Sequence, residues 1–381
     1  MKIVADENIP YVSEAFSTLG DVVLRPGRAI SADDVADADM LLVRSVTQVN
    51  EALLGNTSVS FVATATIGED HIDRPFLAER SIGFSSAPGG NANSVGEYMV
   101  AALLHLAEKY HFDLPSKSIG IVGVGNVGSN VARKAAALGM TVVLNDPPRA
   151  ATTGDEKYRP LEEILNCDII TTHVPITKDG PHPTWHLVDE AFLAALKPDA
   201  IIINSARGPV VDNGALLDAL NTDRLLGAVL DVWEGEPDVN LALLDKVDIA
   251  SPHIAGYSFD GKVRGTEQIY EAACAHLEIA PTWDPRPLLP APEHPAFTSD
   301  NSPGFLKQVV DTVYPILEDD ARMRAIAQEA PEARRGYFDM LRKTYPRRRE
   351  FYNTTIQGPL EDNRLRETLE GIGFSLDDPG T

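Results

Sequence analysis

The chain alternates short apolar runs with longer segments in which apolar residues recur at helical spacing. Over the first ninety residues, β-branched runs predict strands at 2–5, 21–24, 40–43 and 61–64. Residues 11–19 predict a helix between the first two strands. Runs that are apolar at every position are typical of parallel strands with both faces buried. We therefore expect this part of the chain to form a small α/β domain of its own.

The same alternation continues through the middle of the chain. Residues 95–109 predict a long helix, for which Asn93 or Ser94 is a candidate N-cap and Glu97 would complete a capping box. Further apolar runs predict strands at 119–122, 141–144, 168–172, 200–204 and 227–232, and a helix at 213–221. This rhythm predicts a doubly wound parallel sheet, that is, a Rossmann-type α/β nucleotide domain.

Gly123, Gly125 and Gly128 have the spacing G-x-G-x-x-G between a predicted strand and a helix. The first glycine permits the turn, the second admits a pyrophosphate, and the third lets helix and strand pack closely. The helix N-terminus would then face the phosphates with free N–H groups. Asp146 ends the next strand, 18 positions after Gly128 (146 − 128), where a carboxylate can bind the adenosine ribose. Since it would repel a 2′-phosphate, NAD is favoured over NADP; Arg149 is more simply interpreted as a solvated loop residue.

Proline recurs from 281 to 303, which predicts a linker out of the preceding domains. Apolar residues then recur at helical spacing from Phe305 to Leu317. Because so short a segment has a thin core by itself, we expect a small α+β dimerisation domain that a second copy covers. The predicted organisation is a substrate domain at 1–94 and 256–285, an NAD domain at 95–255, and a linker with the dimerisation domain at 286–381.

Composition narrows the class of protein. The 381 residues carry a formal net charge of −23, which disfavours nucleic acid and anionic membranes and requires a local basic pocket for any anionic substrate. Cys167 and Cys274 are too few for a disulfide framework. The N-terminal segment is acidic and no apolar run reaches membrane-spanning length, so we expect a cytoplasmic protein.

Three histidines lie close together in the sequence, at His173, His182 and His186. Their spacing matches no template of metal ligands, and two of them occupy a loop that prolines interrupt. We therefore expect no metal site in this region.

Three charged residues of different types follow predicted strands in the second half of the nucleotide domain. They are Arg207 in N-S-A-R-G, Glu236 in D-V-W-E-G-E-P and His253 in S-P-H-I-A-G. Oxidation of an alcohol by NAD needs a base that titrates near neutral pH, as histidine does. A carboxylate can orient the imidazole, and a guanidinium can hold a substrate carboxylate. Each residue alone has a simpler explanation as a loop or capping residue, but together they predict an active site.

With the glycine motif, these segments resemble the D-isomer specific 2-hydroxyacid dehydrogenase family over residues 1–285. The resemblance implies a flavodoxin-like fold for the substrate domain. The resemblance implies that Arg207, Glu236 and His253 are catalytic, and it disfavours Glu234, which no proline follows. It also implies contacts with NAD from Asn126, Val127, Asp146, Ala206, Arg207, Gly208, Asp231 and Gly256.

Further stretches at 5–11, 43–50, 64–73 and 178–187 resemble members of that family that oxidise a phosphorylated sugar acid. This resemblance implies that Ser45, Thr66 and Tyr257 contact the substrate. Arg44 follows a predicted strand, where ligands of parallel sheets bind, although a surface salt bridge would also explain it.

Arg347, Arg348 and Arg349 stand together in an acidic chain. A solvated charge run is the ordinary interpretation; the alternative is that one of them reaches the active site of a partner subunit and binds the substrate phosphate. Two other functions stay open at this level. Another hydroxyacid dehydrogenase, such as one acting on 3-phosphoglycerate, would share the catalytic residues, and an NAD-sensing binding protein would bind the nucleotide without turnover.

Overall fold

The fold was obtained as a computed structural model that describes residues 1–302 and 304–377. The strands are β1 (Lys2–Asp6), β2 (Asp21–Arg25), β3 (Met40–Val43), β4 (Phe61–Thr64), β5 (Gly83–Ser85), β6 (Ser118–Val122), β7 (Thr141–Asn145), β8 (Ile169–Thr172), β9 (Ile201–Asn204), β10 (Gly227–Leu230), β11 (Ile249–Ala250), β12 (Ala296–Thr298), β13 (Thr355–Gln357) and β14 (Ser375–Leu376).

The α-helices are α1 (Val12–Phe16), α2 (Ala32–Val35), α3 (Glu51–Leu54), α4 (Arg74–Glu79), α5 (Ala92–Lys109), α6 (Asn126–Ala137), α7 (Pro147–Thr153), α8 (Leu161–Ile164), α9 (Glu190–Ala195), α10 (Asn213–Asn221), α11 (Leu241–Lys246), α12 (Phe259–His276), α13 (Phe305–Val313), α14 (Ile316–Arg324), α15 (Arg334–Lys343) and α16 (Asn363–Ile372). Short 3₁₀ helices occur at Gly27–Ala29, Leu114–Ser116, Gly208–Val210, Arg286–Leu288, Ala325–Gln328 and Phe351–Asn353. Within residues 1–302 and 304–377, none of the helices combines the length and apolar character that crossing a bilayer requires.

The first compact unit comprises Met1–Asn91 and Ser258–Ala291. Its strands are all parallel in the order β2-β1-β3-β4-β5, which is the flavodoxin-like order. Helix α12 covers one face, where Tyr270 packs with Phe16 in the core. The flavodoxin-like prediction is therefore confirmed. The edge strand β5 was not predicted, because its residues are only half-buried and give no continuous apolar run.

The second compact unit comprises 92–257 and the described chain from 292 onward. Its larger sheet is parallel in the order β7-β6-β8-β9-β10-β11, and a bridge between Leu144 and Tyr158 extends it beyond β7. The chain passes from β7 on one side of β6 to β8 on the other. This reversal is the switch point at which doubly wound sheets bind ligands, so the predicted Rossmann-type architecture is confirmed.

The predicted capping box at the start of α5 is wrong. The helix begins at Ala92, so Asn93 and Ser94 lie inside it. The Ser94 hydroxyl donates to Glu350 Oε1 at 2.8 Å, and Asn93 Nδ2 lies 3.0 Å from Glu97 Oε1 and 2.8 Å from Glu350 Oε2. These polar side chains serve a tertiary contact with the C-terminal segment, which no local spacing reveals.

The C-terminal segment has its own parallel sheet, in the order β12-β13-β14. Part of the predicted linker, Ala296–Thr298, is the edge strand β12, a position that a proline-rich neighbourhood tolerates. The apolar helical pattern is divided into α13 and α14 at Tyr314-Pro315, because proline has no N–H to continue a helix.

The apolar residues of this segment are already covered by the same chain. Phe305, Val309 and Phe351 belong to one core cluster with Val95 and Leu103 of α5. The expectation that a second copy must cover a thin core is therefore wrong in its premise. The predicted dimerisation and the three predicted domain boundaries stay predictions.

Candidate active site

A histidine and a glutamate are paired where two neighbouring strands end. Glu236 follows β10 and His253 follows β11, at the same edge of the sheet. His253 Nδ1 lies 2.5 Å from Glu236 Oε1, and Glu236 Oε2 accepts from the Trp233 backbone N–H at 3.2 Å. Burial acts to raise the pKa of Glu236, but the charge and hydrogen bond of His253 hold it below its ordinary value. An ionised carboxylate that orients an imidazole and stabilises its protonated form suits general acid–base catalysis.

Glu234, two positions earlier, has a different histidine as its partner. Its Oε1 atom lies 2.7 Å from His186 Nε2, and His186 Nδ1 lies 3.5 Å from Asp212 Oδ2. The ligand atoms of these three half-exposed residues lie within 4.8 Å of one another, an arrangement that also occurs on protein surfaces without an ion. The expected absence of a metal site in this region stays a prediction.

The loop that carries His253 is built around a buried carboxylate. His253 has φ 58°, in the left-handed region, which costs a non-glycine residue roughly 1–3 kcal/mol. The conformation is held because Asp231 Oδ1 accepts from Ile254 N–H at 2.7 Å and Asp231 Oδ2 from Ala255 N–H at 3.0 Å. The Ser251 hydroxyl also donates to Asp231 Oδ1, at 2.7 Å. Asp231 thus has a loop-building role that sequence reasoning missed, and its implied contact with NAD stays a prediction.

The loop after β9 carries Arg207 and is shaped by Asn204. The Asn204 side chain donates to the Arg207 carbonyl oxygen at 2.9 Å and accepts from Ala206 N–H at 3.1 Å. A side chain at Gly208 would collide with the backbone of Trp233, so this position requires glycine. The guanidinium of Arg207 is half-buried and donates to the Ala206 carbonyl oxygen at 2.8 Å. Because β9 neighbours β10, Arg207 leaves the same sheet edge as Glu236.

The glycine turn between β6 and α6 fits a dinucleotide. Gly123 has φ 88°, and a side chain at Gly128 would collide with the Gly123 carbonyl oxygen. A Cβ atom at Gly125, in contrast, would meet nothing within 4 Å, so the backbone is open to a close-lying phosphate. No side chain of the described residues caps the N-terminus of α6, which begins at Asn126 with Val127 next. Its N–H groups are therefore available to an anion.

Asp146 lies where the ribose of such a dinucleotide is expected. Its Oδ2 atom accepts from Val124 N–H at 2.8 Å, and its Oδ1 atom accepts from Arg149 N–H at 3.0 Å as the N-cap of α7. Arg149 is half exposed, with its Nε atom 3.8 Å from Asp146 Oδ2. The carboxylate thus holds the glycine turn in place from the end of the neighbouring strand.

We expect Asp146→Ala to raise the KM for NAD about tenfold or more, because a charged acceptor for the ribose is lost. Discrimination against NADP should fall in the same variant, since the repulsion of a 2′-phosphate is removed. Steady-state kinetics with both nucleotides measure this. Asp155→Ala, an exposed loop variant nearby, is the control. An unchanged KM for NAD in Asp146→Ala would contradict the assignment.

The predicted substrate residues divide between the two units. In the first unit, Arg44 Nε lies 2.9 Å from Oδ2 of the fully buried Asp6, so its partner is not a surface carboxylate. The hydroxyl oxygens of Thr66 and Thr64 lie 2.7 Å apart. Ser45 is exposed. In the second unit, Gly256 and Tyr257 follow His253 in its loop. Contacts of these residues with substrate stay predictions.

The arginine run is not a solvated run. Arg348 is buried, its Nη1 atom lies 2.5 Å from Oε2 of the fully buried Glu97, and its guanidinium lies over the Tyr314 ring at 4.1 Å. Arg349 is also buried and donates to Asn353 Oδ1 at 2.6 Å, whereas Arg347 is exposed. The solvated interpretation is therefore wrong for two of the three. The contact of one of these arginines with the substrate phosphate of a partner subunit stays a prediction.

Comparison with known proteins gives two family matches. Residues 99–255 match the model described as D-isomer specific 2-hydroxyacid dehydrogenase, NAD binding domain. Residues 288–373 match a second model, described as a domain of unknown function (DUF3410).

Individual relatives match over nearly the whole chain. Over 378 residues the chain is 47% identical to erythronate-4-phosphate dehydrogenase of Citrobacter koseri and 48% identical to that of Salmonella typhimurium, each match covering 98% of both chains. D-Lactate dehydrogenase of Aquifex aeolicus, solved with NAD and lactic acid, matches with a TM-score of 0.60 and 26% identity. That match covers 96% of its chain but 73% of this one.

Proposed function

We propose that this chain, which belongs to the D-isomer specific 2-hydroxyacid dehydrogenase family, oxidises 4-phospho-D-erythronate to (R)-3-hydroxy-2-oxo-4-phosphonooxybutanoate, a step of pyridoxal 5′-phosphate (vitamin B6) biosynthesis. The enzyme is an NAD-dependent dehydrogenase. The observation that carries the proposal is the 2.5 Å pairing of His253 with Glu236 in a chain about half identical to erythronate-4-phosphate dehydrogenases.

In the proposed reaction, His253 acts as the base. NAD, when bound on the glycine turn, supplies the acceptor for the hydride that leaves C2 of the substrate. His253 takes the proton of the C2 hydroxyl, so that the carbon–oxygen bond becomes a carbonyl as the hydride departs. Glu236 holds Nδ1 and stabilises the resulting imidazolium. The left-handed conformation of His253, held by Asp231, keeps the ring in this place before substrate arrives.

Arg207 has the chemistry to bind the substrate carboxylate. A guanidinium holds a carboxylate with two parallel hydrogen bonds and polarises the neighbouring carbon–oxygen bond. Its position after β9, beside the loop of Glu236, supports this role. The binding of Arg44, Ser45, Thr66 and Tyr257 to other parts of the substrate belongs to the same proposal.

We further infer a cytoplasmic homodimer. Large apolar side chains are exposed in the C-terminal segment, at Leu317 (47%), Met340 (41%) and Tyr352 (46%). Such residues are suited to an interface between two copies. Sedimentation of the purified protein measures the oligomeric state, and a monomer at micromolar concentration would exclude the dimer.

A substrate panel tests the proposed function. The purified protein is incubated with NAD and 4-phospho-D-erythronate, D-erythronate, 3-phospho-D-glycerate or D-lactate, and NADH absorbance is followed. We expect kcat/KM for 4-phospho-D-erythronate to exceed that for D-erythronate and D-lactate by about 100-fold or more, since a site that pairs a charged substrate group discriminates strongly against its absence. The shorter 3-phospho-D-glycerate keeps both charged groups but not their spacing, so we expect a smaller difference, of about tenfold. Preference for 3-phospho-D-glycerate would identify the rival dehydrogenase, and no NADH with any acid would favour the binding protein.

A further inference from the structure

The C-terminal segment brings an arginine to the residues around His253. Arg342 lies in the last turn of α15, and its Cζ atom is 5.9 Å from the centre of the Tyr257 ring. Tyr257 follows His253 by four positions (257 − 253) in the loop after β11. The guanidinium also acts electrostatically on Glu236, the partner of His253. A cation from outside the nucleotide sheet therefore lies near Tyr257 and within electrostatic reach of Glu236.

This arginine is charged, and one N–H donor of its side chain has no partner among the described residues. Arg342 is half-buried, and its Nε atom, which is closed to solvent, has no hydrogen-bond partner among the described residues. Burial acts to lower the pKa of Arg342, but Tyr257 and Glu236 raise it above its ordinary value. Both oxygens of Glu236 already have donors, from His253 and the Trp233 backbone. An unpaired donor on a buried cation is costly, and an anion bound to the other N–H groups of the guanidinium would offset that cost.

We propose that Arg342 binds the phosphate group of the substrate and thereby selects a phosphorylated hydroxy acid over its unphosphorylated counterpart. The inference rests on the proposed function, in which C2 is oxidised and C4 carries the phosphate. Because C4 is two bonds from C2, the phosphate must lie close to the residues that handle C2. Arginine matches phosphate oxygens with two parallel donors. In a chain with net charge −23, such an anion needs a local cation of this kind.

The inference gives the C-terminal segment a part in substrate choice. Arg342 lies within residues 288–373, which a separate family model matches. The lactate dehydrogenase was solved with an unphosphorylated acid. The match covers 96% of that chain but 73% of this one. The assignment is an alternative to a phosphate contact from the partner subunit through the run at 347–349, because Arg342 reaches Tyr257 within one chain.

The test compares phosphorylated and unphosphorylated substrates in the full-length enzyme. Variants Arg342→Gln and Arg342→Lys are assayed with 4-phospho-D-erythronate and D-erythronate at saturating NAD. Arg335→Gln, at an exposed arginine of the same helix, is the matched control. We expect Arg342→Gln to lower kcat/KM for the phosphorylated substrate about 100-fold, mainly through KM, and to lower that for D-erythronate by less than about tenfold, through the lost action of the guanidinium on Glu236. Arg342→Lys should recover part of the loss, because it keeps the charge but not the two parallel donors.

Each outcome supports or overturns the assignment. Equal losses on both substrates, carried by kcat and by a changed pH profile, would show that Arg342 only positions Glu236 and His253. Unchanged kinetics in both variants would also overturn it. Where D-erythronate turnover is too slow, calorimetric dissociation constants of both acids for the enzyme–NADH complex provide the same comparison. The activity of the wild-type enzyme tests the proposed function separately. If the wild type prefers another phosphorylated acid, that acid and its dephosphorylated form are used as the two test substrates.

Discussion

Replacement of His253 by alanine is expected to lower kcat by about three to four orders of magnitude, because the proposed base for the hydroxyl proton is lost. Affinity for NAD should stay within about twofold, since the glycine turn and Asp146 belong to other strands. Steady-state kinetics measure the first effect, and fluorescence titration with NADH measures the second.

A related pair of variants distinguishes the proposed catalytic role of Glu236 from the role of the neighbouring Glu234. Glu236→Gln should lose about 100-fold or more in kcat, because the amide cannot stabilise the imidazolium as a carboxylate does. Glu234→Gln, the matched control, should stay within about threefold of wild type, since its partner is His186. If the two variants lose activity equally, or if His253→Ala retains more than about a tenth of the wild-type kcat, the pairing of His253 with Glu236 is not the catalytic centre.

Replacement of Arg348 by alanine is expected to give the largest loss of stability, about 3–5 kcal/mol, because it removes the ion-pair partner of Oε2 of the buried Glu97. Burial raises the pKa of Glu97 from 4.5 to about 7 even in the presence of Arg348. A raised folded-state pKa means that protonated Glu97 favours folding at low pH and that this advantage is lost as pH rises through about 7. The loss in Arg348→Ala should therefore be larger near pH 8.5 than near about pH 5.5.

Urea titrations at the two pH values measure this difference in the free energy of unfolding. Arg347→Ala, at the exposed neighbour, should change the free energy by less than about 0.5 kcal/mol. The double variant Glu97→Gln/Arg348→Met should recover much of the loss, because neither side chain then carries a charge. A cost in Arg348→Ala that matches Arg347→Ala, or that is the same at both pH values, would contradict the buried ion pair.

Most strands were predictable because both faces of the sheets are buried. β3, β4, β8 and β9 are apolar or small at nearly every position, so the pattern alone locates them. β5 escaped because its half-buried residues give no such run. The start of α5 was misjudged for a different reason. Asn93 and Ser94 look like local caps, but their acceptor Glu350 is 257 and 256 positions away.

The candidate site shows the same division between local and distant signals. Gly123, Gly125 and Gly128 act within one turn, so their spacing carries the information. Glu236 and His253 were predictable because each follows a strand of one sheet. Arg342 gave no signal, since its contact with Tyr257 spans 85 positions (342 − 257) and a lone arginine in a helix is ordinary. The sequence pointed instead to the arginine run at 347–349. A cluster of charges in a sequence does not show whether the side chains form a buried ion pair or a solvated one.

The pairing of Glu97 with Arg348 also has a consequence for how the chain is made. Arg348 leaves the ribosome 251 residues after Glu97, an interval of roughly 12–50 seconds at about 5–20 residues per second. The apolar side of α5 can be covered by Phe305 only late in this interval, and by Phe351 only after it. The contact between α5 and the C-terminal segment can therefore form only late in synthesis, and a nascent chain that ends before residue 305 would leave this apolar side of α5 exposed.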